Sequence, residues 1–228
     1  MSKLRSQNSA KQKKKENIRN QIIEAAQTYS AELAGKAFLY VYGNEYFELM
    51  FTIDKFKHLT GVESPLLAKQ FYTLAKERKL TTSQFSFTRA HTYDSAKNKL
   101  PCLINLSVLT RSMVCVVKQL KTVTFTYSLG VTNLNFTLCL TEDVDNQGYK
   151  RSNYLLPRSL RVKDKAIENS ADGEFVDFIF VRDASKSVYT DLLYKSEDKN
   201  VPKLVEHLID KRFYDDNEFE EIFKHNLG

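Results

Sequence analysis

Apolar residues follow two periods along this chain, a helical one near its start and a strand-like one through its middle. Ile18, Ile22, Ala25, Ala26, Tyr29 and Leu33 recur at three- and four-residue spacing. That predicts an amphipathic helix ending near Gly35, a suitable C-cap. Residues 37–42 and 46–52 are β-rich runs on either side of Gly43 and Asn44, a hairpin signature. Thr52 can open a short helix that runs through Leu59 and is broken by Gly61. Ser64 and Pro65 read as N-cap and first position of a second helix to about Lys79, with Leu67, Phe71, Leu74 and Ala75 on one face.

Beyond this the pattern turns toward strands. Residues 82–88 alternate and predict a short strand, and the leucines after Pro101 suit a helix. Residues 114–117, 123–129 and 135–140 read as three strands, with turns at 119–121 and 130–133. A polar loop covers 143–152, and residues 154–156 make a short strand into Pro157. Residues 161–170 suit a helix, 174–182 and 187–194 a strand pair, and 202–213 and 218–225 two terminal helices. Helices and a hairpin followed by a mainly antiparallel sheet and C-terminal helices define an α+β class. No repeat or Pro/Gly-rich linker divides the chain, so residues 16–228 are expected to form one domain. Residues 1–15, polar and lysine-rich without periodicity, are expected to be a disordered tail.

Charge sharpens this picture. Residues 1–20 hold Lys3, Arg5, Lys11, Lys13, Lys14, Lys15 and Arg19 against Glu16 alone, so the whole net charge of +6 lies there. The remaining residues are neutral overall, which argues against a body coated in positive charge and leaves room for a local basic site. A hydrophobic share of 42%, with 15 Phe and 12 Tyr, is enough for a real core. No apolar run reaches the length of a membrane helix, and the N-terminus lacks the apolar stretch of a signal peptide. Cys102, Cys115 and Cys139 fit neither a disulfide framework nor a zinc pattern, which predicts a reducing compartment. No His/Cys/Asp/Glu cluster has metal-ligand spacing, and there is no dinucleotide fingerprint or P-loop, so no metal or cofactor is expected.

His58 sits between two apolar residues, Phe56 and Leu59, with Lys57 and Thr60 beside it. Histidine moves protons near neutral pH. The plain alternative is a packed or partly exposed histidine, and His91, His207 and His225 read as surface residues. RNA can be cut without a metal because its 2′-hydroxyl is the nucleophile. The protein need only move protons and stabilise charge on the phosphate, a task for arginine or lysine. Arg158 and Ser159 directly follow Pro157, where the chain turns from a strand; a surface arginine at a strand end is the alternative. Tyr189 is either core or, at a sheet rim, a phosphate or base contact.

Phe56, His58, Leu59 and Gly61, then residues 130–140, then Leu156-Pro157-Arg158-Ser159-Leu160, and finally Ile179-Phe180 and Tyr189 occur in that order. In this the stretch from about 47 to 194 resembles the phage-associated barnase–EndoU–colicin–RelE-like nuclease domains, fourth subgroup. The resemblance implies a small RNase-like α+β fold with a four-stranded antiparallel sheet and a phage or prophage origin. By position it implies His58, Arg158, Ser159 and Tyr189 as catalytic residues, with Lys57, Thr60 and Arg161 binding substrate. The expected activity is a metal-independent endoribonuclease acting in the host bacterial cytoplasm, as a toxin or anti-host factor. Expected partners are RNA, with tRNA among the candidates, and a host or immunity protein. The alternative is a non-catalytic phage accessory protein that binds nucleic acid or a host protein.

Overall fold

A computed structural model describes residues 2–121, 126–162 and 173–214. The chain opens with helix α1 (Ser2–Glu32), followed by strands β1 (Lys36–Tyr42) and β2 (Glu45–Met50). Three helices follow: α2 (Phe56–Thr60), α3 (Ala68–Lys76) and α4 (Tyr93–Ile104). Strands β3 (Cys115–Lys121), β4 (Thr126–Thr132), β5 (Phe136–Val144), β6 (Lys150–Val162), β7 (Glu174–Phe175), β8 (Phe178–Asp183) and β9 (Asp191–Lys195) complete the described sheet.

The strands form one sheet in the order β7-β3-β4-β5-β6-β2-β1-β8-β9. Two antiparallel halves, β7 to β6 and β2 to β9, meet at a single parallel seam where Leu49 of β2 faces Leu155 of β6. β7 and β8 lie far apart in this order, yet only Val176 and Asp177 separate them in the chain. The sheet therefore curls. The Val176 N–H donates to Val114 O and the Asp177 N–H to Val41 O, joining the two ends. Lys118 of β3 reaches across the same gap to Glu45 of β2 at 2.6 Å and also meets Glu174 of the neighbouring β7 at 3.0 Å.

The apolar run of β1 is buried on both faces, as a central strand requires. Phe38, Tyr40 and Tyr42 join the main core with α1 to α4. Ala37, Leu39 and Val41 face the other way, into a second core with Phe178, Phe180, Tyr189, Val205, Ile209 and Phe213. The Gly43 turn has φ +51°, which glycine adopts without strain, and closes the expected hairpin in the register Tyr42 to Glu45.

Several local expectations give way to tertiary context. Residues 2–15 belong to α1 rather than a disordered tail. No glycine or proline interrupts the first 34 residues, and Gln12 reaches Thr82 while Lys14 and Lys15 lie over the rings of Tyr93 and Phe85. Residues 82–84 form a 3₁₀ turn with a capping box, leaving one bridge, Ser86 to Glu63, in place of a strand. The expected turn at 119–121 and much of that at 130–133 are strand. Arg161 and Val162 end β6 rather than start a helix; residues 163–170 lie outside the described residues. Residues 202–213 form 3₁₀ turns at Lys203–Val205 and Lys211–Phe213, not an α-helix, because the backbone between them pairs with Tyr189: the Tyr189 N–H donates to Leu208 O and the Asp210 N–H to Tyr189 O. The helix expected at 218–225 also lies outside the described residues. The sheet has nine described strands rather than the four implied by the resemblance.

Candidate active site

Helix α2 has five residues, too few to be stable alone. Its hold comes from packing. Phe56 and Leu59 are fully buried, and the Phe56 ring meets Tyr29 and Tyr72 edge-on, each at 5.3 Å. Burying each such side chain is worth about 1.5–3 kcal/mol. Gly61 ends the helix at φ +74°, a left-handed C-cap that L-residues adopt only with strain. With Phe56 and Leu59 turned inward, His58 is left exposed on the opposite side.

The seam of the sheet brings β6 to this helix. The chain leaves β2 into α2, and α2 packs against β6, the strand beside β2. In β6, Pro157 faces Leu140 and Ser159 faces Cys139, so Arg158 is the extra residue of a β-bulge. Pro157 has no N–H to give the ladder, and a bulge is where a strand tolerates that. The bulge leaves Arg158 exposed.

Arg158 stands close enough to His58 to act on its charge. The imidazole is held below its ordinary pKa of 6.5, first because packing removes it from water, then because Arg158, Lys57, Lys55 and His91 disfavour a further positive charge. A neutral imidazole at neutral pH can accept a proton. Along the same surface, Lys99 of α4 lies against Gly61: a Cβ on that glycine would stand 3.0 Å from Lys99 Cδ. Burial, with Arg161 nearby, lowers the Lys99 pKa. Arg161 donates to Tyr127 Oη at 3.3 Å and lies over its ring. His91 sits 3.5 Å from Glu63. The result is a cationic surface built from α2, α4, β6 and the loop before α4. Among the described residues, no three His, Cys, Asp or Glu side chains are grouped to hold a metal ion.

The family model described as phage-Barnase-EndoU-ColicinE5/D-RelE like nuclease4 matches residues 21–198, most of the chain. The chain belongs to this nuclease family. No curated protein and no solved structure gives a match.

Within this nuclease domain, α2 with His58 packs on β6, the strand that carries Arg158, Ser159 and Arg161, and Arg158 is near enough for its charge to bear on His58. Ser159 is half-buried opposite Cys139. Lys57 is tied to the backbone, donating to Leu66 O at 2.7 Å and Ser64 O at 3.4 Å. Thr60 is buried and donates to Lys57 O at 2.7 Å, which closes α2. Both hold the loop that positions His58 rather than reaching outward.

Tyr189 is elsewhere. It is fully buried in the second core, where its hydroxyl donates to Glu48 Oε1 at 2.7 Å and its ring lies 4.9 Å from the Arg182 guanidinium carbon. It does not line the His58–Arg158 surface of the nuclease domain. Two residues of that surface escape sequence reading. His91 looks like an isolated polar position, and only the loop before α4 carries it toward His58. Lys99 left a faint signal: it shares the helical face of Ala96, Leu100 and Leu103, all buried, so it is a lysine at a core-facing register.

Proposed function

We propose that this nuclease domain is a metal-independent endoribonuclease of phage or prophage type. The observation that carries the reading is the placement of an exposed histidine of lowered pKa beside an exposed bulge arginine. His58 takes the proton from the 2′-hydroxyl, and the 2′-oxygen attacks the adjacent phosphorus. Arg158 donates its fork of N–H groups to the phosphate oxygens as charge builds on them. The bond from phosphorus to the 5′-oxygen breaks, leaving a 2′,3′-cyclic phosphate. His91, held by Glu63, is the group at hand to give the leaving 5′-oxygen its proton. Lys99 and Arg161 add positive potential that favours the pentacoordinate phosphate. The target is a bacterial RNA, tRNA among the candidates, in the cytoplasm of the host.

The test is cleavage of a mixed RNA pool by the purified full chain in EDTA. Cyclic phosphate ends, intact DNA of the same sequence, and a loss of roughly 10²–10⁴-fold in the folded His58→Ala protein are expected. Cleavage of DNA, dependence on a divalent metal, or full activity in His58→Ala would overturn the mechanism. Binding of RNA without cleavage would leave a nucleic-acid-binding accessory protein.

A further inference from the structure

The basic half of α1 does not hang free. Lys11, Lys14 and Lys15 form one wall of a cavity of about 350 Å³ whose other walls are Ser86, Phe87 and Tyr93. Phe85, Phe87 and Tyr93 stand edge to face in a row, with centroids 6.0 and 5.5 Å apart. Lys14 Nζ is 5.3 Å from the Tyr93 ring centre and Lys15 Nζ 5.3 Å from that of Phe85. Phe87 and Tyr93 are half-buried, each keeping part of its surface open. Glu16, the sole acid in the first 20 residues, is turned to Arg19 at 3.2 Å and does not neutralise the three lysines.

The position of this groove matters as much as its chemistry. Phe87 and Tyr93 bracket the loop that carries His91, which is pinned by Thr88 through two hydrogen bonds, His91 N–H to Thr88 Oγ1 and Thr88 N–H to His91 O. His91 is in turn close enough to act on the charge of His58. The groove and the candidate active site are thus neighbours across one short loop.

We propose that this groove is a single-stranded RNA subsite, in which a base stacks on the Tyr93 ring with Phe87 at its edge, while Lys11, Lys14 and Lys15 hold the flanking phosphates. The occupant follows from the combination. Three lysines need a polyanion, and flat rings at the floor suit a nucleobase, which stacks without regard to its identity. An incoming base replaces Lys14 on Tyr93, and the freed ammonium turns to the phosphate beside it. The subsite rests on the reading of His58 and Arg158 as an RNA-cleaving pair. It deepens that reading by making the enzyme favour unpaired RNA longer than the few nucleotides the pair itself spans.

Binding of a fluorescein-labelled 12-residue oligouridylate to the full chain tests the subsite, with His58→Ala as the background so that cleavage does not intervene. The triple variant K11Q/K14Q/K15Q keeps helix-forming residues and removes three charges. It is expected to weaken binding about tenfold or more in 0.1 M salt. It should also reduce the slope of log K against log salt by about two, the value for three single-strand phosphates released. Tyr93→Leu, checked for an unchanged circular dichroism spectrum, is expected to weaken binding at least about fivefold with the slope unchanged. With His58 restored, the lysine variant should cleave a dinucleotide at the wild-type rate and the 12-residue RNA about tenfold less well. Undiminished binding with an unchanged slope overturns the subsite even if RNA is cleaved. So does a glutamate-rich peptide of equal charge that competes as well as RNA. Lysine-dependent binding without any cleavage by the wild-type chain would leave the groove standing and remove the nuclease mechanism.

Discussion

Replacing Tyr189 with Phe separates a structural role from a catalytic one. The substitution keeps the ring in the second core, over Arg182, and removes only the hydroxyl that donates to Glu48 Oε1 at 2.7 Å. Hydrogen bonds to charged groups are worth about 1.5–3 kcal/mol. Glu48 keeps some contact with water, its side chain being 16% exposed, and keeps Arg182 at 3.7 Å. The expected loss therefore falls toward the lower end, about 1.5–2 kcal/mol. For a chain of this size that lowers Tm by roughly 3–8 °C. Urea denaturation followed by circular dichroism reads the shift in midpoint at constant slope. RNA cleavage measured well below the transition should stay within about twofold of wild type. Unchanged stability with cleavage lowered by orders of magnitude would refute the placement, because it would mean that the hydroxyl meets substrate rather than Glu48.

The remaining predictions concern backbone and charge. Gly61→Ala should cost about 1–2 kcal/mol in chemical denaturation, since φ +74° is strained for alanine and the new Cβ also presses on the Lys99 stem at 3.0 Å; unchanged stability would show that α2 does not need its left-handed cap. Gly130→Ala would put a Cβ 2.2 Å from Leu120 Cδ1 and 3.1 Å from Thr137 Cγ2, and Leu120 is fully buried, so a loss of about 1–3 kcal/mol is expected, partly relieved by Leu120→Val; a neutral result would mean that β3 and β4 separate freely there. By NMR, His58 should titrate below 6.5, and Arg158→Ala should raise its pKa; a value at or above 6.5 would remove the base from the mechanism. Because the folded pKa is depressed, the unfolded chain binds the proton first as pH falls. Stability linked to His58 is therefore complete above 6.5 and declines below it, and His58→Gln should flatten that decline.

Local signals in the chain account for the helical and hairpin regions. Spacing of Ile18 to Leu33 placed the inner half of α1, Gly43 placed the hairpin, and Gly61 ended α2, because each signal depends on contacts or dihedral angles within a few residues. His58 and Arg158 stood out as candidates only through the family resemblance, and Pro157, expected to end a strand, lies inside β6 at its bulge. Tertiary structure decided the rest. The outer half of α1 has no apolar period of its own and reads as helix only through its place beside Phe85 and Tyr93. Residues 202–213 have helical spacing, yet Val205 and Phe213 are buried from 3₁₀ turns and Ile209 from a bridge to Tyr189, a pairing made across the second core. Tyr189 alternates as either a rim or a core residue would, and only the pairing of β8 with β1 and β9 puts it against Glu48. The meeting of His58 with Arg158 depends on one parallel seam between strands more than a hundred residues apart in the chain. Periodicity reports which face of an element is apolar, but the partner of that face is fixed by long-range pairing, which no local window contains.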